Sequence, residues 1–195
     1  MKIGNKAGAS TDEETQTGRP PVYDRLAGRY DAAFAPLENW GLRGLRARLL
    51  RELPEEGGRL LEVGAGTGLN FAHYPSGARG AGVELSVEMI KRARGKPTRP
   101  PGVQLVQARA EALPFADATF DTAFATLVFC SIESPARGFA ELRRVVRPGG
   151  TVALLEHVRP DNWLGPAFDV LSRFTVWLFQ DHFNRRTAAA AARAG

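Results

Sequence analysis

Three closely spaced glycines after a short apolar run form the part of this sequence best suited to binding a small molecule. Residues 59–63 have the length and composition of a buried parallel strand, and Gly64, Gly66 and Gly68 follow within the segment Leu-Glu-Val-Gly-Ala-Gly-Thr-Gly. Because glycine has no Cβ, it can take positive φ angles and leave backbone amides facing a ligand. The segment predicts a nucleotide-like ligand at the end of a strand. A tight turn without a ligand is the alternative.

A carboxylate further along the chain fits the same ligand. Glu84 follows the apolar piece 81–83, about 20 residues after the glycine turn, the separation at which an acidic side chain in a βαβ unit meets ribose hydroxyls. Its two oxygens can accept two donors at once. Leu69 occupies the position where a dinucleotide fingerprint has a third Gly or Ala, and no Lys followed by Ser or Thr supports a P-loop.

Alternating strand-like and helix-like runs position these residues. Two helical patterns, from Tyr23 to Phe34 and, after Pro36, from Trp40 to Leu53, precede the first strand. The later pattern predicts strands over 59–63, 79–83, 103–107, 120–126 and 151–157, with a short helix from 69 and helices over 86–94 and 134–146. This alternation predicts a doubly wound α/β fold with a mostly parallel sheet of about five strands, in which ligands bind at the carboxyl ends of the strands.

Composition divides the chain into a leader, a cap and one domain. We expect residues 1–20 to form a disordered leader, 21–55 an N-terminal helical cap and 56–195 the ligand-binding domain. The aromatic-rich segment 163–183 is either a packed core helix or a lid over an apolar pocket. The sequence has no run of about 18 apolar residues, no secretory signal and a single cysteine, Cys130, so we expect a cytoplasmic protein.

Charge and histidine content limit the partners that we expect. The net charge of +5 is spread along the chain without any nucleic-acid-binding motif, which argues against a nucleic-acid partner. Arginines alternate with leucines between residues 42 and 51, which predicts either a solvated helix face or a surface attracted to anionic membrane lipids; these arginines are Arg43, Arg46, Arg48 and Arg51. The three histidines are scattered, so no metal site is predicted.

Five segments in consistent order resemble the class I S-adenosylmethionine-dependent methyltransferases. They are 61–68, 82–86, 110–115, 120–126 and 144–150, and together they cover most of residues 56–157. Segments 68–75, 128–132 and 155–158 resemble the branch with thiol methyltransferases and bacterial phosphatidylethanolamine N-methyltransferases, and the ubiquinone/menaquinone C-methyltransferases are similar in 110–115 and 23–27. The resemblance implies a Rossmann-like fold, S-adenosylmethionine as cofactor and a small or lipid-like methyl acceptor. It leaves the accepting atom open among sulfur, nitrogen, oxygen and carbon.

The resemblance also assigns roles to residues. Glu62 would orient the methionine amino group, the Gly64 and Gly66 amides would lie along the methionine and ribose, and Glu84 would accept both ribose hydroxyls. His157, which follows Glu156, is the candidate general base. The residues implied in cofactor binding are Tyr23, Tyr30, Glu62, Gly64, Ala65, Gly66, Gly68, Glu84, Leu85, Ser86, Ala110, Glu111, Thr126 and Leu127.

Two departures from the family pattern leave further alternatives. Arg109 stands where many relatives have Asp or Gly, so the Ala110 backbone and Glu111 would have to bind the polar edge of the adenine. The antiparallel strand pair that usually completes the sheet has no counterpart before Gly195, and an open edge would favour a homo-oligomer. A cofactor-binding module without activity is therefore one alternative. A nicotinamide oxidoreductase is another, disfavoured by Leu69 and by the later segments.

Overall fold

The computed structural model describes residues 22–53 and 58–156. The N-terminal part contains α1 (Val22–Leu26), α2 (Tyr30–Leu37), one π-helical turn (Glu38–Leu42) and α3 (Arg43–Arg51). The remainder contains the strands β1 (Arg59–Val63), β2 (Arg79–Glu84), β3 (Val103–Gln107), β4 (Phe120–Thr126) and β5 (Val146–Leu155), the helices α4 (Val87–Gly95) and α5 (Pro135–Val145), and a 3-10 turn (Phe71–His73). The predicted leader, His157 and the aromatic segment 163–183 lie outside the described residues.

The five strands form one parallel sheet in the order β3-β2-β1-β4-β5. This confirms the predicted doubly wound fold. The winding direction reverses at β1, whose last residue, Val63, pairs with Val83 on one side and Ala125 on the other. The residues that follow these three positions therefore meet at one edge of the sheet, where ligands of this fold bind.

The central strands are buried because both faces of a parallel sheet are covered. Leu61 and Val63 of β1 and Phe120 and Phe124 of β4 are almost completely inaccessible to solvent. On one side, Phe139 of α5 stacks on Phe129 with ring centroids 4.2 Å apart. This packing gives the carboxyl edge of the sheet a rigid support.

The N-terminal helices differ in detail from the sequence prediction. The predicted break at Pro36 is absent, because α2 continues through it and the helical path bends at Gly41. Gly41 has a φ of 150°, a value that residues with a Cβ rarely adopt. A second interruption, a turn over residues 27–29, separates α1 from α2. Within residues 22–53 and 58–156, every helix falls short of the length and apolar character needed to cross a bilayer.

Candidate functional site

A cavity of about 220 Å³ opens at the carboxyl edge of the sheet, beside the ends of β1, β2 and β4. The glycine turn, the loops after β3 and β4 and two tyrosines of the N-terminal helices surround it. Its lining residues are Tyr23, Tyr30, Val63, Gly64, Gly66, Val83, Glu84, Leu85, Met89, Ala108, Arg109, Ala110, Glu111, Thr126, Leu127, Val128, Ser131, Ile132 and Glu133.

The structure brings most of the sequence-predicted cofactor residues into this lining. Glu62, Ala65, Gly68 and Ser86 are not among its lining residues. Sequence reasoning missed the loop from Val128 to Glu133. Its position directly after the carboxyl end of a central strand is the signal that could have found it.

The glycine turn is held against β2 by its own backbone. The amides of Gly64 and Ala65 both donate to the Val83 carbonyl, at 2.8 and 2.9 Å. Gly64 has a φ of 72°, and a Cβ there would overlap the Val128 side chain. Gly66 has a φ of 54°, but a Cβ there would find no protein atom closer than the Gly64 carbonyl oxygen at 4.0 Å. Packing therefore requires Gly64, whereas Gly66 borders open space in the cavity.

The Glu84 carboxylate connects the glycine turn to the start of α4. One oxygen accepts the Gly66 amide at 3.0 Å and the other accepts the Ser86 amide at 2.8 Å. Burial raises the pKa of Glu84, and these amide hydrogen bonds oppose that rise. Each carboxylate oxygen can accept a second donor. The carboxylate thus retains capacity for two further donors in the cavity, which fits the two hydroxyls of a ribose.

Charged side chains form the rim near the loop after β3. The Arg109 guanidinium lies 2.7 Å from Glu133 and 3.8 Å from the buried Glu111 carboxylate. Glu111 also accepts the Ser134 amide at 3.2 Å. Arg109 is therefore held between two carboxylates at the place where the sequence resemblance puts the adenine.

The end of β4 carries a backbone conformation that is unusual for its residue type. Leu127 has a φ of 58°, and its amide donates to the Leu155 carbonyl at 2.8 Å. A non-glycine residue in the left-handed region costs about 1–3 kcal/mol and occurs often at ligand sites. The left-handed conformation of Leu127 directs the chain into the cavity lining directly after Thr126.

Polar contacts fix the N-terminal helices against the cofactor loops. Asp24 of α1 accepts from the Ser86 hydroxyl and from the Glu88 amide. Asp31 of α2 accepts from Thr67 at 2.5 Å and pairs with Lys96 at 2.8 Å. These contacts hold Tyr23 and Tyr30 at the cavity.

A buried polar network connects α3 to the same edge of the sheet. The Arg46 side chain donates to Glu38 at 2.9 Å, to Asn70 at 3.0 Å and to Thr126 at 2.6 Å. Arg46 is only 4% exposed, so the prediction that it lies on a solvated or lipid-facing surface is wrong. Burying a charged guanidinium without hydrogen-bond partners would be unfavourable. The buried position of Arg46 is possible because several acceptors bind its N–H groups there.

Glu62 is the innermost carboxylate of this network. It is fully buried and accepts from the Asn70 side-chain amide and the Tyr74 hydroxyl, both at 2.5 Å. Burial raises its pKa from 4.5 to about 7, against the opposing effects of these two hydrogen bonds and of the Arg46 charge. Glu62 therefore titrates near neutral pH.

We expect this titration to make stability depend on pH. The pKa of Glu62 is higher in the folded protein than in the unfolded chain, so the protonated side chain favours the folded state. This contribution to stability is fully present below the unfolded pKa and is lost as the pH rises through about 7. Replacing Glu62 by Gln removes this dependence. Urea unfolding between about pH 5 and pH 8 should show the wild type losing on the order of 3 kcal/mol relative to E62Q. Parallel pH profiles for the two proteins would contradict the assignment, and Glu88→Gln, whose side chain on α4 is exposed, is the control.

The fold and the site together define a nucleotide-binding α/β protein of the Rossmann type. A family model described as a methyltransferase domain matches residues 61–154. A phosphatidylethanolamine N-methyltransferase from Cereibacter sphaeroides is 38% identical over 151 residues, which cover 74% of this chain and 71% of that protein. This chain belongs to the class I S-adenosylmethionine-dependent methyltransferases.

Two further comparisons support the same family assignment. A ubiquinone/menaquinone biosynthesis C-methyltransferase from Syntrophotalea carbinolica is 35% identical over 148 residues, 73% of this chain and 62% of that protein. The solved structure of an S-adenosylmethionine-dependent methyltransferase from Thermotoga maritima aligns with a TM-score of 0.69 and 25% identity, covering 89% of this chain and 79% of that one. These comparisons confirm the family, the enzyme class and the cofactor that the sequence resemblance predicted. Neither alternative function is favoured.

Proposed function

We propose that this methyltransferase acts on a lipid-like acceptor, with the amine of a phosphatidylethanolamine head group as the first candidate. The relative from Cereibacter sphaeroides carries that activity in its name. The observation that carries the proposal is a group of exposed apolar side chains in the N-terminal helical part. These exposed side chains favour an acceptor in a membrane over an acceptor that is free in solution.

The exposed apolar side chains lie in the helical segment that precedes the first strand. Trp40 is 89% exposed, Leu45 50% and Leu37 38%, and the three residues lie close together in the sequence on both sides of the bend at Gly41. Arg43, Arg48 and Arg51 on the same segment are also exposed. Exposed aromatic and aliphatic side chains among exposed arginines suit the head-group region of an anionic bilayer.

In the proposed reaction the chain contributes alignment and exclusion of water. When bound, S-adenosylmethionine supplies a methyl group on a positively charged sulfur, and its transfer is an in-line displacement that needs few catalytic side chains. Glu84 would hold the nucleoside part, and the Gly66 amide would keep the Glu84 carboxylate in place. Thr126 and Leu127 would hold the methionyl end, and Tyr23 would cover the cofactor from α1.

An ammonium acceptor must lose a proton before it can attack, and His157 remains our proposed base. Its neighbour Glu156 accepts the amides of Val128 and Phe129, at 2.8 and 2.9 Å. Val128 lines the cavity. Glu156, the residue directly before His157, is therefore bonded to the loop that lines the cavity, which supports a role for the imidazole as a base.

A methyl-transfer assay with labelled S-adenosylmethionine tests the acceptor. The full chain is incubated in parallel with phosphatidylethanolamine vesicles, a small alkyl thiol and a demethylated quinol, and Glu84→Ala serves as the control for site dependence. We expect label in the phospholipid. Label in the thiol or quinol alone would overturn the lipid proposal, and no transfer despite cofactor binding would favour a binding module.

Vesicle co-sedimentation tests the membrane contact separately. We expect Trp40→Ala to weaken binding to vesicles rich in phosphatidylglycerol by about 10- to 100-fold, because burying one large aromatic side chain contributes about 1.5–3 kcal/mol. Val152→Ala, at an exposed position on β5, is the matched control. Equal binding of wild type to neutral and anionic vesicles, or no effect of W40A, would contradict the proposal.

Self-association is the remaining partner proposal. Among the described residues β5 pairs only with β4, and an open strand edge favours association with a second copy. Sedimentation velocity of the full chain distinguishes a monomer from a dimer.

A further inference from the structure

A second cavity, of about 400 Å³, lies at the amino edge of the sheet, opposite the first cavity. Its lining comes mainly from the first residues of β1, β2 and β4, the loop that precedes β2 and the first half of β5. The two cavities share no lining residue. The length of β1 separates them, which is roughly 16 Å for a strand of this size. A cavity of this volume can hold a small ligand.

The lining of the second cavity carries more positive than negative charge. Among the described residues, three arginines, Arg59, Arg79 and Arg147, and one carboxylate, Asp121, line it. Both Asp121 oxygens are occupied, because one accepts the Arg147 Nε–H at 2.6 Å and the other accepts the Arg59 backbone amide at 2.7 Å. Since Asp121 balances the charge of Arg147, the charges of the other two arginines remain uncompensated in this lining.

These two arginines are neighbours in the sheet. Arg59 and Arg79 are register partners at the start of β1 and β2, and adjacent strands lie only about 4.8 Å apart. Within residues 22–53 and 58–156, Arg79 has no ion pair. The Arg59 guanidinium lies over the Phe120 ring, 5.6 Å from its centroid, which leaves its charge in place. Two like charges so close together repel each other, and an anion between them would turn this repulsion into attraction.

We propose that the second cavity binds the phosphate group of a small ligand, with Arg59 and Arg79 as its main contacts. A guanidinium presents a planar set of N–H donors that matches two phosphate oxygens at once. A phosphate monoester carries nearly two negative charges at neutral pH, which balance the two uncompensated arginines, whereas a carboxylate balances one. Thr122 and Thr151, which are register partners on β4 and β5, also line the cavity and can donate to further phosphate oxygens.

Calorimetric titration of glycerol 3-phosphate into the full chain tests this site. We expect saturable binding by wild type and an affinity about 10- to 100-fold lower in Arg79→Gln, the range for a hydrogen bond to a charged group. Arg79 is exposed and unpaired within the described residues, so this variant should fold. The matched control is Arg94→Gln, which removes the same charge from an exposed position on α4 and should bind like wild type.

Three results would overturn the proposal. The first is no binding of glycerol 3-phosphate, inorganic phosphate or phosphatidic acid vesicles by wild type. The second is equal weakening by Arg79→Gln and Arg94→Gln, which would show a general attraction of anions to a basic protein. The third is binding of acetate as tight as that of glycerol 3-phosphate at equal ionic strength, which would remove the preference for phosphate.

Vesicles distinguish the two sources of a phosphate monoester, a soluble ester and a lipid head group. Weaker co-sedimentation of Arg79→Gln with phosphatidic acid vesicles, together with competition by glycerol 3-phosphate, would support a head group. Binding of glycerol 3-phosphate without any effect of Arg79→Gln on vesicle binding would support a soluble ester. Trp40→Ala should leave glycerol 3-phosphate binding unchanged, because Trp40 is outside this lining; a loss in that variant would contradict the location of the site.

Discussion

Replacing Arg46 by Met is expected to lower the free energy of unfolding by about 3–5 kcal/mol, the usual cost of removing one partner from a buried ion pair. Glu38 would remain buried as an uncompensated charge, since Arg46 is its ion-pair partner at 2.9 Å. Asn70 and Thr126 would lose a donor at the same time. Urea unfolding followed by circular dichroism measures the loss.

The same helix offers a matched control for this substitution. Arg48 pairs with Glu52 through the same atoms at the same 2.9 Å, but both side chains are exposed. We expect Arg48→Met to change stability little, because water and salt screen an exposed pair. The double variant Glu38→Gln with Arg46→Met should recover part of the loss by removing the orphaned charge. Equal effects of the two arginine substitutions would contradict a structural role for the buried network.

Alanine at Gly64 should be much more damaging to the fold than alanine at Gly66. Strain from a φ of 72° and overlap with Val128 add together, and we expect a loss of about 2–5 kcal/mol in the free energy of unfolding. Alanine at Gly66 carries only the conformational strain of a φ of 54°, of about 1–2 kcal/mol. Its methyl group would instead enter the space bordering the cavity and weaken S-adenosylmethionine binding.

Two measurements separate these effects. Thermal unfolding should place Gly64→Ala well below Gly66→Ala, and calorimetric titration of folded Gly66→Ala should show cofactor affinity at least tenfold below wild type. If the two alanine variants were equally stable and bound the cofactor equally, the packing described for the turn would be incorrect.

Much of the fold could be predicted because its signals are local. The strands β1 and β4 are short and mostly buried, and their apolar residues are those expected of strands covered on both faces. The glycine turn and Glu84 are also identifiable, because the spacing of a βαβ unit brings the ends of neighbouring parallel strands together. The pairing of Val63 with Val83 shows this relation in the structure.

The buried network could not be predicted because its contacts are not local. Arg46 lies in a pattern of alternating arginines and leucines that is typical of a surface helix. Its partners lie 8, 24 and 80 residues away in sequence, beyond the three- or four-residue spacing that a helix pattern reveals. Sequence reasoning found Thr126 through the family resemblance, but the direction of its hydrogen bonds depends on the tertiary structure. The bend at Gly41 was also missed, since Pro36 is the stronger local signal for a helix end.

The central claim is that this chain binds S-adenosylmethionine at the carboxyl edge of the sheet, with the ribose on Glu84. Calorimetric titration of S-adenosylmethionine into wild type, Glu84→Ala and the α4 control Glu88→Ala tests it most directly. Loss of hydrogen bonds from the ribose to the Glu84 carboxylate should weaken binding by about 1–3 kcal/mol, and Glu88→Ala should bind like wild type. Unchanged affinity in folded Glu84→Ala would contradict this placement of the cofactor.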